Sequence, residues 1–446
     1  MAEPGHRPPR TGQITRTAVA ALATARVSAA VLRRRWGAKA SAESAAKHEA
    51  EIGRILFAAM SQLRGTALKA AQVLSLDASF LPAGIKAELA RACHQAPPLN
   101  RALVGRVFRH SFGCEPQALF KTFDHNAFAA ASLGQVHRAS LADGTPVAVK
   151  IQYPGIGATI TTDMRLLRTA LTTIGRGVVQ LPDTAIVERL LAEIERQLHE
   201  ELDYEREARS QQWFKRHARH DDIVIPAIVE AHTRPTVLTQ QLLPGVHLNE
   251  WLSTAPAQSL LDRQGQAIFD WFMRCAFELG RIHADLHPGN FLFMPDGRVG
   301  VLDFGCTREL AASFSQGTAR SWLAYLQDDD PAPKLLATYR AMGIVDAAMT
   351  PEVFAADVLP GVRPLLDWAT QALAHDRFVF STKTRPPVPQ RRVQESLAKH
   401  MTGVPPELLS FDRAWLGLMH LLRCLGATVN TATSRELLER AKGMST

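Results

Sequence analysis

The stretch GRIHADLHPGNFLFMPDGRVGVLDFG, residues 280–305, decides the fold class of this 446-residue chain. Its second half is typical of a strand, a Pro-Asp-Gly turn and a second strand that ends at Asp303. Asp285 lies just upstream, and Asn290 follows it in a D-x-x-x-x-N pattern. Phosphoryl transfer requires a metal ion that bridges the phosphates and a group that orients the acceptor, and magnesium prefers oxygen ligands. We therefore predict that Asn290 and Asp303 bind magnesium and that Asp285 accepts or orients a proton.

Two histidines in the same stretch allow another interpretation. His283 and His287 could be metal ligands, or the segment could be a structural histidine-rich loop in which Asp303 is only a turn residue. Two histidines four residues apart are suited to a metal on a helix, and a Pro-Gly loop does not give that geometry. We therefore expect the histidines to hold the loop through hydrogen bonds.

A cation for the nucleotide phosphates is predicted in a strand-rich region upstream. ASLGQVHRASLADGTPVAVKIQ, residues 131–152, is typical of a strand, an Asp-Gly-Thr turn and a second strand. The VAVK motif places Lys150 at the end of a buried strand. A carboxylate on the following helix should pair with this lysine, and Glu195 is the predicted partner. The alternative for any one glutamate is a solvated helix face, because eight acidic residues lie between 188 and 207.

Two motifs of protein kinases are absent. The segment before the VAVK strand has Ala129, Ala130, Ala131 and Ser132 where a G-x-G-x-x-G loop would close over the phosphates. Alanine limits positive-φ conformations and stiffens such a loop. No A-P-E motif follows the DFG motif at 303–305. We predict that these four residues line the nucleotide site and that peptides are not the acceptor.

Charge and composition indicate a globular protein with a basic N-terminal arm. The formal charge is +8, and residues 1–40 carry eight basic residues against one glutamate. Residues 7–39 are therefore expected to attach to an anionic membrane surface, while no nucleic-acid module is recognised. The five scattered cysteines form no CxxC pair, which fits a reducing cytoplasm. No uncharged apolar run is long enough to span a bilayer, so a cytoplasmic, membrane-peripheral location is predicted.

Hydrophobic periodicity divides the chain into four regions of an α+β protein. A basic, Ala-rich arm covers 1–42, and a helical extension covers 43–120. A small strand-rich lobe covers 121–245, and a larger helical lobe covers 246–446. Within the strand-rich lobe, residues 184–218 are predicted to form one strongly charged helix.

The motifs together resemble the UbiB/ADCK (AarF-type) family of atypical protein-kinase-like proteins over roughly residues 45–330. The alanine-rich loop, VAVK, HADLHPGN and DFG occur in the family's order. EELDYEREA is similar to the family's ExD motif, which makes Glu201 and Asp203 its named pair, and Glu195 falls where the family has its ion-pair glutamate. The LKAAQ segment resembles the family's K-x-G-Q motif, with Lys69 and Gln72 retained and an alanine in place of the glycine.

The resemblance implies a two-lobed protein-kinase-like fold whose N-terminal helical extension packs over the active site. It implies ATP or ADP and Mg²⁺ as cofactors, with Lys69, Gln72, Glu201 and Asp203 gating the site. Gln241 stands in the connector between the lobes, where the family usually has an acidic residue and where adenine binds. The implied activity is that of an atypical kinase or ATPase that supports ubiquinone-type lipid biosynthesis, with a prenyl lipid or quinone intermediate and lipid-biosynthesis proteins as partners.

Two other functions are compatible with the same residues. A small-molecule phosphotransferase of the aminoglycoside or choline kinase type shares the H-x-D-x-x-x-x-N pattern and a metal aspartate. A nucleotide-sensing scaffold would use the same site to control a protein partner without turnover as its output.

Overall fold

The computed structural model describes residues 101–131, 133–175, 184–381, 387 and 399–443. The chain forms two compact units. The first comprises the described residues up to Ala208 together with Ile228–Leu242, and the second comprises Arg209–Ala227 and the described residues from Leu243 onwards.

The elements alternate between helices and short strands. The α-helices are α1 (Arg101–Phe112), α2 (Pro116–Leu119), α3 (Ile160–Gly175), α4 (Thr184–Glu201), α5 (Tyr204–His217), α6 (Leu248–Ser253), α7 (Gln258–Phe277), α8 (Ala312–Gln327), α9 (Ala332–Ala341), α10 (Pro351–Val353), α11 (Leu359–Thr370), α12 (Leu408–Leu425) and α13 (Ala432–Gly443). The strands are β1 (Thr122–Phe123), β2 (Ala129–Ala131), β3 (Gly134–Ser140), β4 (Pro146–Gln152), β5 (Ile223–Val224), β6 (Val237–Gln241), β7 (Arg281–His283), β8 (Phe291–Phe293), β9 (Val299–Val301), β10 (Thr307–Glu309), β11 (Arg377–Val379) and β12 (Thr428–Asn430). A π-helical turn covers Phe354–Val358, and 3₁₀ turns cover Gly157–Thr159, Glu230–His232, Pro288–Asn290 and Gln371–Ala374.

An antiparallel sheet forms the centre of the first unit. Its strand order is β1-β3-β4-β6, with β2 also paired to β3. The predicted Asp-Gly-Thr turn joins β3 to β4: Asp143 Oδ1 accepts a hydrogen bond from the Thr145 amide at 2.8 Å, and Gly144 has φ +88°. Val147, Val149 and Ile151 of β4 are fully buried. Because strand residues alternate between faces, Lys150 emerges on the opposite face from these three side chains.

The single helix predicted for 184–218 is wrong, because the structure has two helices separated at Leu202 and Asp203. Gln152 at the end of β4 donates from Nε2 to the Leu202 carbonyl at 2.9 Å. The Tyr204 amide donates to the Pro235 carbonyl at 3.2 Å. These tertiary contacts satisfy backbone groups that a continuous helix would have paired internally.

The second unit has a large apolar core with three small sheets. The sheets have strand orders β5-β9-β8, β10-β7 and β11-β12. Helix α7 runs through the core, where Ile268, Phe269 and Phe272 are fully buried. Its neighbour α12 contributes Trp415, whose ring centroid lies 5.8 Å from that of Phe272. The sequence analysis predicted the β8–β9 hairpin and did not predict the β11–β12 pair.

The predicted α+β class is confirmed for the described part of the chain. The basic arm and most of the predicted N-terminal extension lie outside the described residues, as do Lys69, Gln72 and Ser132. Within the described part, no helix is both long and apolar enough to cross a bilayer.

Candidate active site

An ion pair at the centre of the first unit holds Lys150. Its Nζ lies 3.0 Å from Oε1 and 2.9 Å from Oε2 of Glu207, so one ammonium contacts both carboxylate oxygens. The side chains are 12% and 3% exposed, respectively. The ammonium also lies 5.0 Å from the centroid of the buried Tyr204 ring, within cation–π range. Because a buried charge is costly unless paired, the glutamate fixes both the charge and the position of this lysine.

Glu195 was therefore the wrong choice of partner for Lys150. Glu195 lies on α4, whereas Glu207 lies in the first turns of α5, after the break at Leu202. The hydrogen bond from Gln152 holds that break against the end of β4. Lys150 and Gln152 are two residues apart on this strand and share a face, which brings the lysine to α5.

A sequence signal for Glu207 does exist. Tyr204, Glu207, Gln211 and Phe214 recur at three- and four-residue spacing, and all four are buried. A glutamate that lies on the buried face of a helix needs a cation, and VAVK supplies one. The count of acidic residues in the region concealed this pattern.

The ExD residues lie at the break between α4 and α5. Glu201 is the last residue of α4 and is half-buried. Asp203 precedes α5, and its Oδ1 accepts a hydrogen bond from the Arg206 amide at 2.9 Å, as an N-cap does. The Asp203 carbonyl also accepts from the Glu207 amide at 3.0 Å. Asp203 thus sets the start of the helix that carries the partner of Lys150.

The alanine-rich segment forms a strand. Ala129, Ala130 and Ala131 form β2 and pair with Val136, Gln135 and Gly134 of β3, respectively. A Cβ at Gly134 would lie 2.3 Å from the Ile151 carbonyl oxygen, so only glycine permits this approach to β4. The segment is thus a paired hairpin arm, which extends the sheet that carries Lys150.

In the second unit, His283 makes hydrogen bonds both to the segment that carries Asp285 and to the segment that precedes Asp303. Its Nε2 donates to the Leu302 carbonyl at 3.0 Å, and its Nδ1 accepts from the Asp285 amide at 3.2 Å. The ring is fully buried, and burial lowers the pKa of His283 below its usual value, so the neutral form is favoured. His287 accepts the Gly289 amide at Nδ1, 3.0 Å away. Both histidines therefore make the loop-holding hydrogen bonds that the sequence analysis expected.

The predicted metal ligands lie at the ends of the β8–β9 hairpin. The Leu302 amide donates to the Asn290 carbonyl at 2.9 Å, so Asn290 and the residue before Asp303 are directly bonded across the hairpin. Asn290 Nδ2 donates to the Asp285 carbonyl at 2.8 Å, which leaves Oδ1 as the oxygen available to a cation. Asp303 has φ +58°, a conformation that few non-glycine residues adopt. An amide oxygen and a carboxylate suit Mg²⁺, so this donor set fits the ion.

Residues outside the motif also support the loop. Arg413 of α12 donates from Nε to the Ala284 carbonyl at 3.0 Å and from Nη2 to the Cys306 sulfur at 2.8 Å. Phe304 of DFG is fully buried, with its ring centroid 5.1 Å from that of His283. Arg413 was not predicted, because the contact spans 129 residues of sequence and no local pattern points to it.

Gln241 is the last residue of β6, opposite Val147 of β4, and its side chain is exposed. The amide of the next residue, Leu242, donates to the Pro146 carbonyl at 3.2 Å. The predicted connector therefore begins at the edge of the sheet in the first unit.

The chain is similar to known proteins of one family. Residues 91–334 match the ABC1 atypical kinase-like domain. The probable serine/threonine-protein kinase abkA of Dictyostelium discoideum is 31% identical over 269 residues, which is 57% of this chain and 46% of that protein. The mitochondrial atypical kinase COQ8B of Rattus norvegicus is 32% identical over 259 residues, or 57% of this chain and 47% of that protein. The chain thus spans about half the length of these relatives.

A solved structure, that of Rv3197 from Mycobacterium tuberculosis in complex with erythromycin, resembles this fold with a TM-score of 0.60. It is 25% identical in sequence, and the match covers 87% of this chain and 96% of that one. The domain match extends over the Lys150–Glu207 pair, the His283 loop and the β8–β9 hairpin alike. The chain belongs to the ABC1 atypical kinase-like family, and its resemblance to the UbiB/ADCK proteins is thereby confirmed.

Proposed function

We propose that this protein is a magnesium-dependent, ATP-binding phosphotransferase or ATPase that acts in isoprenoid-quinone lipid metabolism. The observation that carries the proposal is the Lys150–Glu207 pair, at 2.9 and 3.0 Å and largely buried. Burying a lysine and a glutamate together is costly. A function that needs a fixed cation, such as binding nucleotide phosphates, accounts for a buried pair at this position.

The other roles follow from the chemistry of the second unit. Asn290 Oδ1 and the Asp303 carboxylate would hold Mg²⁺, which neutralises charge on the phosphates when bound. Asp285 would orient or deprotonate the acceptor, and its backbone is fixed on both sides by His283 and Asn290. In the first unit, β2 would lie along the nucleotide, and the backbone near Gln241 would contact the base.

A lipid acceptor or client is proposed because the resemblance to the UbiB/ADCK proteins implies one and because two motifs of peptide kinases are absent. The alanine-rich segment replaces the glycine-rich loop, and no A-P-E motif is present. COQ8B carries the name atypical kinase, and the solved structure of Rv3197 is a complex with erythromycin, a small molecule rather than a peptide. We propose a prenyl lipid or quinone intermediate as the client, with lipid-biosynthesis proteins as partners.

Access to the site and location in the cell are parts of the same proposal. Lys69, Gln72, Glu201 and Asp203 would gate entry of acceptors. Residues 7–39, which are rich in arginine, would attach the protein to the cytoplasmic face of an anionic membrane.

The test is magnesium-dependent phosphate release from ATP by the purified full chain, with and without vesicles that contain phosphatidylglycerol. Asp303→Asn removes one metal-ligand charge and should abolish release. Asp376→Asn is the matched control, because Asp376 is an exposed carboxylate in the same unit. Release that is stimulated by vesicles and lost only in the Asp303 variant supports a membrane-linked ATPase.

Other outcomes separate the alternatives. Transfer to a soluble hydroxylated acceptor, with no response to vesicles, would favour the aminoglycoside or choline kinase type of activity. Nucleotide binding without any turnover would overturn the enzyme proposal and favour the nucleotide-sensing scaffold.

A further inference from the structure

A cavity of about 640 Å³ lies in the second unit, beside the end of α5 and the loop that follows it. Its walls include Lys215, Arg216, Arg219, His220 and Arg298, and we refer to it as the basic pocket. None of these residues belongs to the site described above. Beneath the charged groups lie buried apolar residues, including Ala218 and Ile225. The pocket thus combines buried apolar residues with exposed cationic ones.

The positive charge of the basic pocket is only partly neutralised. Among the described residues that line it, Asp221 is the one carboxylate. The adjacent Asp222 is engaged by Arg263, whose Nε lies 3.1 Å from Oδ2. Asp296 accepts from Arg298 Nε at 2.8 Å and offsets that guanidinium. Lys215, Arg216 and Arg219 therefore give the pocket a net positive charge.

The positive charge around the basic pocket is larger than the charge needed to offset the dipole at the end of α5. Basic residues in the last turn of a helix offset a partial charge of roughly −0.5 at its C-terminus. Lys215 and Arg216 alone exceed that value, and α5 ends at His217. Arg219 lies beyond the helix, and Arg298 comes from the turn between β8 and β9. Residues from two separate segments thus converge on one cavity.

The pocket wall is held in place by hydrogen bonds to α7. Trp271 Nε1 donates to the Ala218 carbonyl at 3.0 Å, and Arg274 Nη1 donates to the Arg219 carbonyl at 2.8 Å. Lys215 Nζ donates to the Ile225 carbonyl at 2.7 Å. Partial burial lowers the pKa of Lys215, and a bound anion next to the ammonium would offset that cost. Because the backbone of this wall is already fixed, less ordering is needed when an anion binds.

We infer that the basic pocket binds a phosphate-bearing anion, with Arg216, Arg219 and Lys215 as its principal contacts. Guanidinium groups present paired N–H donors that match phosphate oxygens, and lysine adds a point charge. The phosphate could belong to a lipid headgroup or to a soluble phosphate compound, because both present the same oxygens. This inference does not depend on the proposed activity.

The experiment compares the full chain with the double variant Arg216→Glu/Arg219→Glu. Both side chains are exposed, so the fold should be retained, and an unchanged denaturation midpoint would verify this. The matched control is Arg377→Glu/Arg440→Glu, which changes the charge equally at two exposed arginines of the same unit away from the pocket. The probes are pyrophosphate in magnesium-free buffer, followed by calorimetry, and phosphatidylcholine vesicles with or without phosphatidylglycerol, followed by co-sedimentation.

We expect the pocket variant to bind at least one probe more than about thirtyfold more weakly than the control, because each cation removed costs roughly fivefold and the two added carboxylates repel the phosphate. Added salt should weaken binding by the wild type, because salt screens the attraction between the cationic side chains and the phosphate. A loss confined to phosphatidylglycerol vesicles assigns the pocket to headgroups, and a loss of pyrophosphate binding assigns it to soluble phosphates. Equal binding by the pocket and control variants, or no binding of either probe by the wild type, would overturn the inference. The milder Arg216→Gln/Arg219→Gln variant should show an intermediate loss.

Discussion

Replacement of Glu207 by glutamine tests the central ion pair of the first unit. The substitution keeps the size of the side chain and removes its charge, while Lys150 remains on β4. At an N···O distance of 2.9 Å, the gross attraction is roughly 6 kcal/mol for an effective dielectric constant of about 20. Removal of one partner of a buried pair costs about 3–5 kcal/mol. A glutamine oxygen that still accepts one hydrogen bond returns about 1 kcal/mol, so the expected loss of stability is about 2–4 kcal/mol.

The same change should impair nucleotide chemistry. Without the carboxylate, Lys150 loses the group that fixes its Nζ, and misplacement of one preorganised donor typically costs about 10²–10³ in rate. We expect kcat/KM for ATP to fall by about a hundredfold. Glu195→Gln is the matched control on the neighbouring helix, and because Glu195 is not the partner of Lys150 it should stay within about 0.5 kcal/mol of the wild type.

The assays are urea denaturation and magnesium-dependent phosphate release, each on Glu207→Gln, Lys150→Met and the double variant. Because the two residues are in contact, their effects should be strongly non-additive. The reasoning is refuted if Glu195→Gln lowers stability and activity more than Glu207→Gln does, or if the double variant shows simple additivity.

Three further changes test the rest of the site. Asn290→Ala removes the amide oxygen assigned to the metal, and the magnesium concentration for half-maximal phosphate release should rise by about tenfold or more. His283 is buried, and its pKa lies below the usual 6.5, so the unfolded chain takes up a proton at this residue before the folded chain does as the pH falls. The free energy of unfolding should therefore decrease below about pH 6.5, and His283→Gln should flatten that dependence on pH. Gly134→Ala would place a Cβ 2.3 Å from the Ile151 carbonyl oxygen. The thermal midpoint should therefore fall by several degrees, which corresponds to a loss of stability of roughly 2 kcal/mol or more. Gly443→Ala is the control, because a Cβ there would lie in open space.

Each of these has a clear contrary result. An unchanged magnesium requirement in the Asn290 variant would remove it from the metal site. A pH profile of unfolding with the same slope in wild type and His283→Gln would mean that this histidine does not titrate between the two states. Equal midpoints for the two glycine variants would contradict the close approach of β3 and β4.

Local sequence patterns predicted the two hairpins that carry the candidate site and several of the residues in it. The β3–β4 and β8–β9 hairpins follow from alternating residues and Asp-Gly turns, and Lys150 follows from VAVK on such a strand. These features depend on neighbouring residues, which the sequence displays directly. The loop-holding role of His283 and His287 was also accessible, since both lie within the stretch that they hold.

The features that were missed depend on contacts between distant residues. The break before α5 is stabilised from Gln152 and Pro235, which lie tens of residues away along the chain. Without that break, the helical spacing pointed to Glu195, and the ion pair was assigned one helix too early. The β11–β12 pair joins two three-residue strands that are nearly fifty residues apart, and such short strands carry almost no periodicity of their own.

The N-cap at Asp203 has a consequence for how genetic variants at this position are interpreted. One carboxylate both belongs to the motif associated with gating and starts the helix that carries Glu207. Loss of activity in an Asp203 allele could result from displacement of Glu207, the partner of Lys150, with no change in which acceptors reach the site. Asp203→Asn or Asp203→Ser, which retain capping ability, are therefore the alleles that separate the two phenotypes, whereas Asp203→Ala confounds them.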